Sequence, residues 1–206
     1  TSFIFLPILY NSSFTLDFWG RRFVQEPIRY QRSFVENRSS YSVDSGLSVN
    51  AGPDGLVGIK NGWGSASSEL EVSNVLPFNV WTHIAYTYDV STQVVQIWIN
   101  GERVGESSLR PLVRGSTNLT VGRNIEGIFH EMDLAALRIS TEVEYSDGFE
   151  PQVVLPITQS TVLMWSFQAD VEQPVVDTIV VDESGNGNNA TIARGFWIGD
   201  GPGCLD

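Results

Sequence analysis

The 206-residue sequence has little of the chemistry on which many enzymes depend, with one cysteine, two histidines and one lysine. The single thiol, Cys204, can form no disulfide within the chain, so it is either free or pairs with a partner outside it. His83 and His130 alone support neither a cysteine–histidine nucleophile nor a zinc site with the usual ligand spacing. No run of about 18 apolar residues occurs, which excludes a membrane-spanning helix.

Basic side chains are also scarce, with 12 Lys and Arg against 24 Asp and Glu and a net charge of −12. Nucleic-acid binding is therefore excluded, since phosphate contacts need clustered basic residues. Residues 1–103 hold 7 basic and 9 acidic side chains (net −2), whereas residues 104–206 hold 5 and 15 (net −10). This imbalance indicates either a solvated acidic surface or carboxylates that hold a divalent cation.

What the chain does contain is apolar and aromatic material arranged for β-strands. Helical periodicity is nearly absent, and short runs of Val, Ile, Phe, Tyr and Trp alternate with turn residues. Asn100-Gly101 predicts a type I′ hairpin between strands at 94–99 and 102–107. We predict an all-β fold, an antiparallel two-sheet jelly-roll sandwich. The other predicted strands are 14–18, 81–88, 119–122, 135–139, 161–167 and 175–181, with a helical turn possible only around 141–145.

Three segments in this order resemble the laminin-G-like branch of the concanavalin A-like lectin/glucanase superfamily. The most specific is the strand pair Trp81–Asp89 and Gln96–Gly101, which is similar to the family's "W-x-H-I-A-x-T-Y-D … Y-V-N-G". Ser13–Trp19 resembles its "FTLSAW" strand, and Val121–Arg123 with Asp133–Ile139 resembles "IGR … I-D-E-V-R-I". The resemblance covers roughly residues 12–140 and implies a concanavalin A-like sandwich.

A fourth segment of this kind, the W-x-F and D-x-S-G-N-G-N pieces within about residues 161–198, closes the chain here but opens the domain in many relatives. It either completes the same sandwich in permuted order or begins a truncated second copy. We favour completion of the same sandwich, because in a truncated second copy the apolar side chains of Phe196 and Trp197 would be exposed to solvent. Without a dividing linker or an internal repeat, residues 1–206 are interpreted as a single domain.

Catalysis is not supported by the acidic residues. Glycosidases of this superfamily alternate acids along one strand, and hydrolysis needs two carboxyl groups at a fixed separation. Glu131 and Asp133 begin such a pattern, but Ala135 and Ala136 stand where a third acid would fall. The chain is therefore predicted not to be an enzyme. The resemblance implies that Asp133 has a structural role and not a catalytic one.

A calcium site is the one cofactor hypothesis. Asp182, Asn186 and Asn188 place oxygen donors at alternating positions among glycines, as a hard cation requires. The spacing is not that of an EF-hand, although the resemblance strengthens the hypothesis because laminin-G-like domains often bind calcium. The alternative is an Asn/Gly-rich turn held by its own side-chain-to-backbone hydrogen bonds.

Glycan recognition would need an aromatic platform with polar partners. Trp19 and Trp98 have the opposite parity to their apolar strand neighbours and should face away from the core between the sheets. Trp63 lies in a glycine-flanked loop, and Arg21 is a nearby polar partner. These four are the candidate ligand-binding residues, and the alternative is that the tryptophans are core residues.

The leading hypothesis is a non-catalytic module that binds a glycan or an extracellular protein, located outside the cell or on its surface, within an adhesin or similar protein. The alternatives are a polysaccharide hydrolase or lyase with an atypical site and a structural spacer or assembly domain. Asn11, Asn37, Asn118 and Asn189 begin Asn-X-Ser/Thr sequons, which are acceptors only in a eukaryotic secreted protein.

Overall fold

The computed structural model describes residues 12–22, 32–37, 46–51, 55–61, 68–111, 119–122, 132–167, 173–192 and 195–197. Strands and turns make up these ranges, and none of them contains a helix. Accordingly, no helix within them could cross a membrane. Trp63, Glu131, His130, Cys204, Asn11 and Asn118 lie outside the described residues.

Six strands form the larger sheet, in the spatial order β11-β10-β1-β6-β7-β8. Every neighbouring pair is antiparallel. Their bounds are β1 Phe14–Arg22, β6 Trp81–Asp89, β7 Val94–Ile99, β8 Glu102–Ser108, β10 Met132–Ser140 and β11 Thr161–Ser166.

Five strands form the second sheet, in the order β5-β4-β3-β2-β9, also antiparallel throughout. They are β2 Arg32–Glu36, β3 Leu47–Ala51, β4 Val57–Asn61, β5 Ser68–Val72 and β9 Thr120–Val121. Two small ribbons follow, one pairing β12 (Gln173–Val175) with β15 (Gly195–Trp197), the other β13 (Thr178–Val180) with β14 (Ala190–Ile192).

The core lies between the two sheets because alternate residues of each strand are apolar and point inward. Phe14, Leu16 and Phe18 from β1 are at most 1% exposed. They belong to the same buried cluster as Val49 and Ile59 of the second sheet. Stacking of the Phe18 and Phe34 rings, with centroids 4.3 Å apart, joins the sheets directly.

This architecture confirms the all-β sandwich and most of the predicted strands. Asn100 and Gly101 have φ values of 49° and 82°, as a type I′ turn requires. Residues 175–181 do not form one strand but lie in β12 and β13, separated near Asp177, whose φ is 50°. Thr141 to Tyr145 is not helical.

The outer face of the six-stranded sheet is covered by residues 141–160, which we call the cover segment. Trp19 donates a hydrogen bond from Nε1 to the Gln152 carbonyl at 2.9 Å. Leu155 is 2% exposed and packs in a second apolar cluster with Trp19, Trp81 and Met164. Side chains on both faces of β1 are therefore buried. This explains why the strand contains apolar side chains together with polar ones whose hydrogen bonds are made.

A buried polar network holds the cover segment to the sheet. Asp17 accepts hydrogen bonds from Nε and Nη2 of Arg138 at 2.9 and 2.8 Å and from the Tyr145 hydroxyl at 2.7 Å. Nε2 of His83 lies 3.4 Å from the same carboxylate. Arg138 also donates to the Pro156 carbonyl at 2.8 Å, so one guanidinium contacts the cover segment at two points.

Burial by itself would raise the pKa of Asp17, but His83 and Arg138 outweigh it and hold that pKa below the ordinary 3.8. Burial also raises the pKa of Tyr145, so its phenol stays protonated and donates to Asp17. Because the folded pKa of Asp17 is the lower one, the stabilisation is present above pH 3.8. It is lost as the pH falls through the folded value.

We expect Asp17→Asn to lower the free energy of unfolding at pH 7 by about 3–5 kcal/mol, because Arg138 would stay buried without its counter-ion. The wild type should lose stability in acid below pH 3.8, and the variant should lose less over the same range. Urea unfolding between pH 3 and 7 measures both. Parallel pH profiles for the two proteins would contradict this role for Asp17.

Gly101 is required both by the hairpin and by the cover segment. Its φ is +82°, and a Cβ there would overlap the Phe149 carbonyl. The backbone conformation alone should cost Gly101→Ala about 1–3 kcal/mol, and the overlap should add to this. Gly185→Ala is the matched control, because its φ is also +82° with nothing within 4 Å of the added Cβ. Equal shifts in melting temperature would show that the Phe149 contact contributes nothing.

Candidate functional site

The outer face of the five-stranded sheet carries a row of polar side chains. Strand register places Thr120, Glu36, Ser48, Lys60 and Glu69 opposite one another, one from each strand. Their inward-facing neighbours, such as Val35, Val49 and Ile59, fill the core. Since successive side chains alternate between faces, the row lies on the outside. We call these five residues the polar row.

Exposure along the polar row is lowest in its middle and highest at β5. Glu36 and Ser48 are at most 1% exposed, the Lys60 side chain is 11% exposed and the Glu69 side chain is 48% exposed. Groups with hydrogen-bonding capacity are thus shielded in the middle of the row, whereas Thr120 at the β9 end is half-buried and Glu69 at the β5 end is solvated. The exposed end of the row lies on β5, the edge strand that contacts β8 of the other sheet. At this contact Gly105 of β8 has no side chain and so leaves room for Val72 of β5.

Hydrogen bonds fix the side chains of this face. The Ser48 hydroxyl donates to Oδ1 of Asn50 at 2.7 Å, and Nζ of Lys60 lies 2.6 Å from Oε2 of Glu69. At the strand end, Oδ1 of Asn37 accepts from the Leu47 backbone N–H at 2.5 Å. These contacts hold the polar atoms in defined positions, which reduces the entropy lost when a ligand binds.

A second row of residues runs beside the polar row, and one of its positions is a glycine without a side chain. Asn50 is opposite Gly58, and Gly58 is opposite Glu71. A Cβ at Gly58 would lie 3.0 Å from Cγ of Glu71, so the Glu71 stem occupies the space that a larger residue would fill. Because this position is a glycine, the surface of the sheet is depressed between the amide of Asn50 and the carboxylate of Glu71.

Together these rows place an amide, a hydroxyl, an ammonium and several carboxylates on one side of one sheet, where Glu69 and Glu71 are exposed and Asn50, at 4%, and Ser48 are buried. Such groups donate to and accept from hydroxyls, the dominant polar groups of sugars. The sequence patterns above do not identify this face, because β2 to β5 are five residues each and were not predicted. The sequence feature that could have indicated these strands is a weak alternation, in which apolar residues at 47, 49, 57 and 59 alternate with small or polar residues.

The predicted aromatic platform lies elsewhere. Trp19 and Trp98 do face away from the core between the sheets, as their parity predicts, but the cover segment shields both. Trp98 is 1% exposed, donates to Oγ1 of Thr87 at 3.3 Å and lies 5.7 Å from the Phe149 ring. Neither indole offers a free face to a sugar while the cover segment is in place.

Arg21 is engaged with residues of its own sheet. It contacts Oδ2 of Asp133 at 2.8 Å, and its guanidinium lies 5.0 Å from the centre of the Trp81 ring. Asp133, the one described member of the carboxylate pair considered above, is thus held in an ion pair with a side chain 16% exposed. Trp63 falls outside the described residues, so its ligand-binding role stays a prediction.

The loop with the predicted metal ligands is closed by its own hydrogen bonds. Oδ1 of Asp182 accepts from the backbone N–H of Met164 and Ser184, and Oδ2 accepts from that of Asn188, at 2.9 to 3.0 Å. Asn188 donates from its side chain to the Val162 carbonyl at 2.8 Å, and Asn186 to that of Thr161 at 3.2 Å. The loop thereby ties itself to β11.

These contacts do not fit a calcium site. Three N–H groups point their positive ends at the carboxylate oxygens that a cation would use. They outweigh burial, so the pKa of Asp182 lies below its ordinary value. Among the described residues no group of three or more His, Cys, Asp or Glu is placed to hold a metal. The geometry favours the turn alternative, and calcium binding stays a prediction.

Comparison with known protein families identifies the family of this sandwich. A family model described as the concanavalin A-like lectin/glucanases superfamily matches residues 6–137, which is more than half of the chain. The chain belongs to this superfamily. The polar row and the whole of the second sheet lie within the matched residues of the concanavalin A-like domain. No curated protein matches the chain significantly.

Solved structures share the concanavalin A-like fold at low identity. A candidate carbohydrate binding protein from Bacteroides ovatus is 18% identical, with a TM-score of 0.66, over 95% of this chain and 56% of that one. The CBM40 of the Ruminococcus gnavus IT-sialidase, bound to α2,3 sialyllactose, is 12% identical with a TM-score of 0.53. That match covers 66% of this chain and 79% of the other. The chain thus spans little more than half of the Bacteroides protein, and these identities show the fold alone.

The loop hydrogen bonds predict how Asp182 behaves. Asp182→Asn should lower the free energy of unfolding by about 1–3 kcal/mol, because an amide nitrogen would face N–H groups that the carboxylate now satisfies. We expect the same loss with millimolar calcium and with EDTA, measured by thermal melting. A calcium-dependent rise in melting temperature in the wild type that the variant lacks would establish the ion instead.

Proposed function

We propose that this chain is a non-catalytic glycan-binding module and that the polar row is part of its binding face. The observation that carries the proposal is the polar outer face of the five-stranded sheet, where side chains with hydroxyl-matching chemistry are fixed by hydrogen bonds. The fold supports it, since carbohydrate-binding proteins share this sandwich. A protein ligand is the alternative, but the polar row lacks the apolar and aromatic anchors that are typical of protein interfaces.

The spacing of the carboxylates argues against hydrolysis at this face. Glu36 and Glu69 are separated by three strand spacings, about 14 Å. The two carboxyl groups of a glycosidase are about 5–10 Å apart. Glu69 and Glu71 are nearer to each other, but both are exposed and Glu69 is held by Lys60, whereas a general acid needs a shielded carboxyl group.

We further propose that the module works outside the cell or at its surface, as part of a longer protein such as an adhesin. The support is indirect: polysaccharides and glycan coats are found there, and the Bacteroides protein of the same fold is nearly twice as long as this match. Detection of the chain in the secreted or surface fraction of its source cells would test this placement.

Glu71→Ala tests the binding face. We expect it to weaken glycan binding by about tenfold or more, because an exposed carboxylate acceptor of this face is lost. The measurement is titration calorimetry with a glycan selected on an array. The control is Glu106→Ala, which removes an exposed carboxylate from β8 of the other sheet.

Three results would contradict the proposal. The first is an array without any bound glycan, and the second is an equal loss of affinity in Glu71→Ala and Glu106→Ala. The third is release of reducing ends from a polysaccharide that is abolished in Glu69→Gln or Asp133→Asn, which would make the chain a hydrolase. Melting curves for each variant separate loss of binding from loss of fold.

A further inference from the structure

One aromatic ring in the described part of the chain is exposed, and it lies on the connection between β5 and β6. Phe78 is 40% exposed, whereas every other aromatic side chain whose burial is described is buried or half-buried. The connection, residues 73–80, passes from the second sheet to the six-stranded sheet at one end of the sandwich. A phenyl ring left in water forgoes the stabilisation that burial would bring, so this ring is a candidate contact for a ligand.

The backbone holds the Phe78 ring in one place. Phe78 forms a β-bridge with Arg22, the last residue of β1, and the Asn79 N–H donates to the Arg22 carbonyl at 2.6 Å. On the other side, Leu76 is buried and its N–H donates to the Gly55 carbonyl at 3.0 Å, between β3 and β4. A ring that is anchored on both sides loses little conformational freedom when a ligand packs on it.

Polar groups lie beside this ring. The guanidinium carbon of Arg22 is 5.9 Å from the centre of the Phe78 ring, within the range of a cation–π contact that helps to fix the ring. Asn79 follows in the chain and is exposed, and its side-chain amide has no hydrogen-bond partner among the described residues. An amide both donates and accepts hydrogen bonds, as a hydroxyl group requires of its partner.

We infer that Phe78 is the aromatic platform of a sugar subsite at this end of the sandwich, for a pyranose residue that presents C–H bonds on one face. The inference rests on the proposed glycan-binding function and adds a contact outside the polar row. A pyranose ring has an apolar C–H face, which packs against an aromatic face, and hydroxyl groups at its edge, which need hydrogen-bonding partners. Phe78 provides the first contact and the amide of Asn79 provides the second.

The size of the exposed surface favours a sugar over a protein partner. Phe78 and Val80 are the large apolar side chains exposed on this connection. A protein interface of standard size buries about 800 Å² on each partner and has several apolar and aromatic anchors. A single phenyl ring instead matches the face of one pyranose. The sequence pattern gave no indication of this platform, because a phenylalanine in a connection follows no strand alternation.

Phe78→Ala and Phe78→Trp together test the platform. The probes are cellotetraose and lactose, and the measurement is titration followed by NMR, which detects weak binding. We expect Phe78→Ala to weaken binding of the better probe by about fivefold or more, because the stacking surface is lost. Phe78→Trp should bind at least as tightly as the wild type, because an indole offers a larger aromatic face. Saturation transfer from the wild type should be strongest to the C–H protons of one sugar face.

Val80→Ala is the matched control. Val80 lies on the same connection and is 45% exposed, but it has no aromatic face. This variant should bind the better probe within about twofold of the wild type. Melting curves for all three variants show whether each is folded.

The outcomes separate this inference from the proposed function. An array without any bound glycan overturns both. Three results overturn the Phe78 subsite alone: an array glycan is bound but neither cellotetraose nor lactose is, Phe78→Ala binds as the wild type does, or folded Phe78→Trp loses as much affinity as Phe78→Ala. A loss in Val80→Ala equal to that in Phe78→Ala also overturns it, because the aromatic ring would then have no special role.

Discussion

The ion pair between Asp17 and Arg138 is the constraint on which the outer side of the six-stranded sheet depends. Two charges sit there with almost no contact with water, and such a pair is tolerable only when its remaining hydrogen bonds are made. The Tyr145 hydroxyl and the Pro156 carbonyl make them, and both belong to the cover segment. The charge pair thereby fixes two points of a twenty-residue segment without regular structure.

The two outer faces consequently have different characters. One is closed by the cover segment, with stacked aromatic rings of Tyr145 and Phe149 at 3.7 Å over the sheet. The other carries hydrogen-bonded polar side chains that are buried in the middle of the sheet and exposed at β5. Polar residues are tolerated in those buried positions because their hydrogen bonds are made within the protein.

Long strands with regular alternation could be predicted from the sequence, whereas of the second sheet only β9 was predicted and its four five-residue strands were not. Phe14 to Phe18 and Trp81 to Tyr88 repeat their pattern often enough to be recognised, whereas β3 and β4 have five residues each and include Asn50 and Gly58. Parity predicted the direction of Trp19 correctly. It could not predict that the cover segment lies over that indole, because this contact joins residues 133 positions apart and has no local signal.

The network around Asp17 also has a consequence for synthesis of the chain. Its carboxylate leaves the ribosome 121 residues before the guanidinium of Arg138. At about 5–20 residues per second, the wait is about 6–24 s. For about the first half of that time β1 has neither of its final strand neighbours, and for the second half it has β6 but still lacks β10. The nascent chain therefore carries at least one unpaired edge of β1 until the strand that holds Arg138 is made, and an unpaired edge favours aggregation.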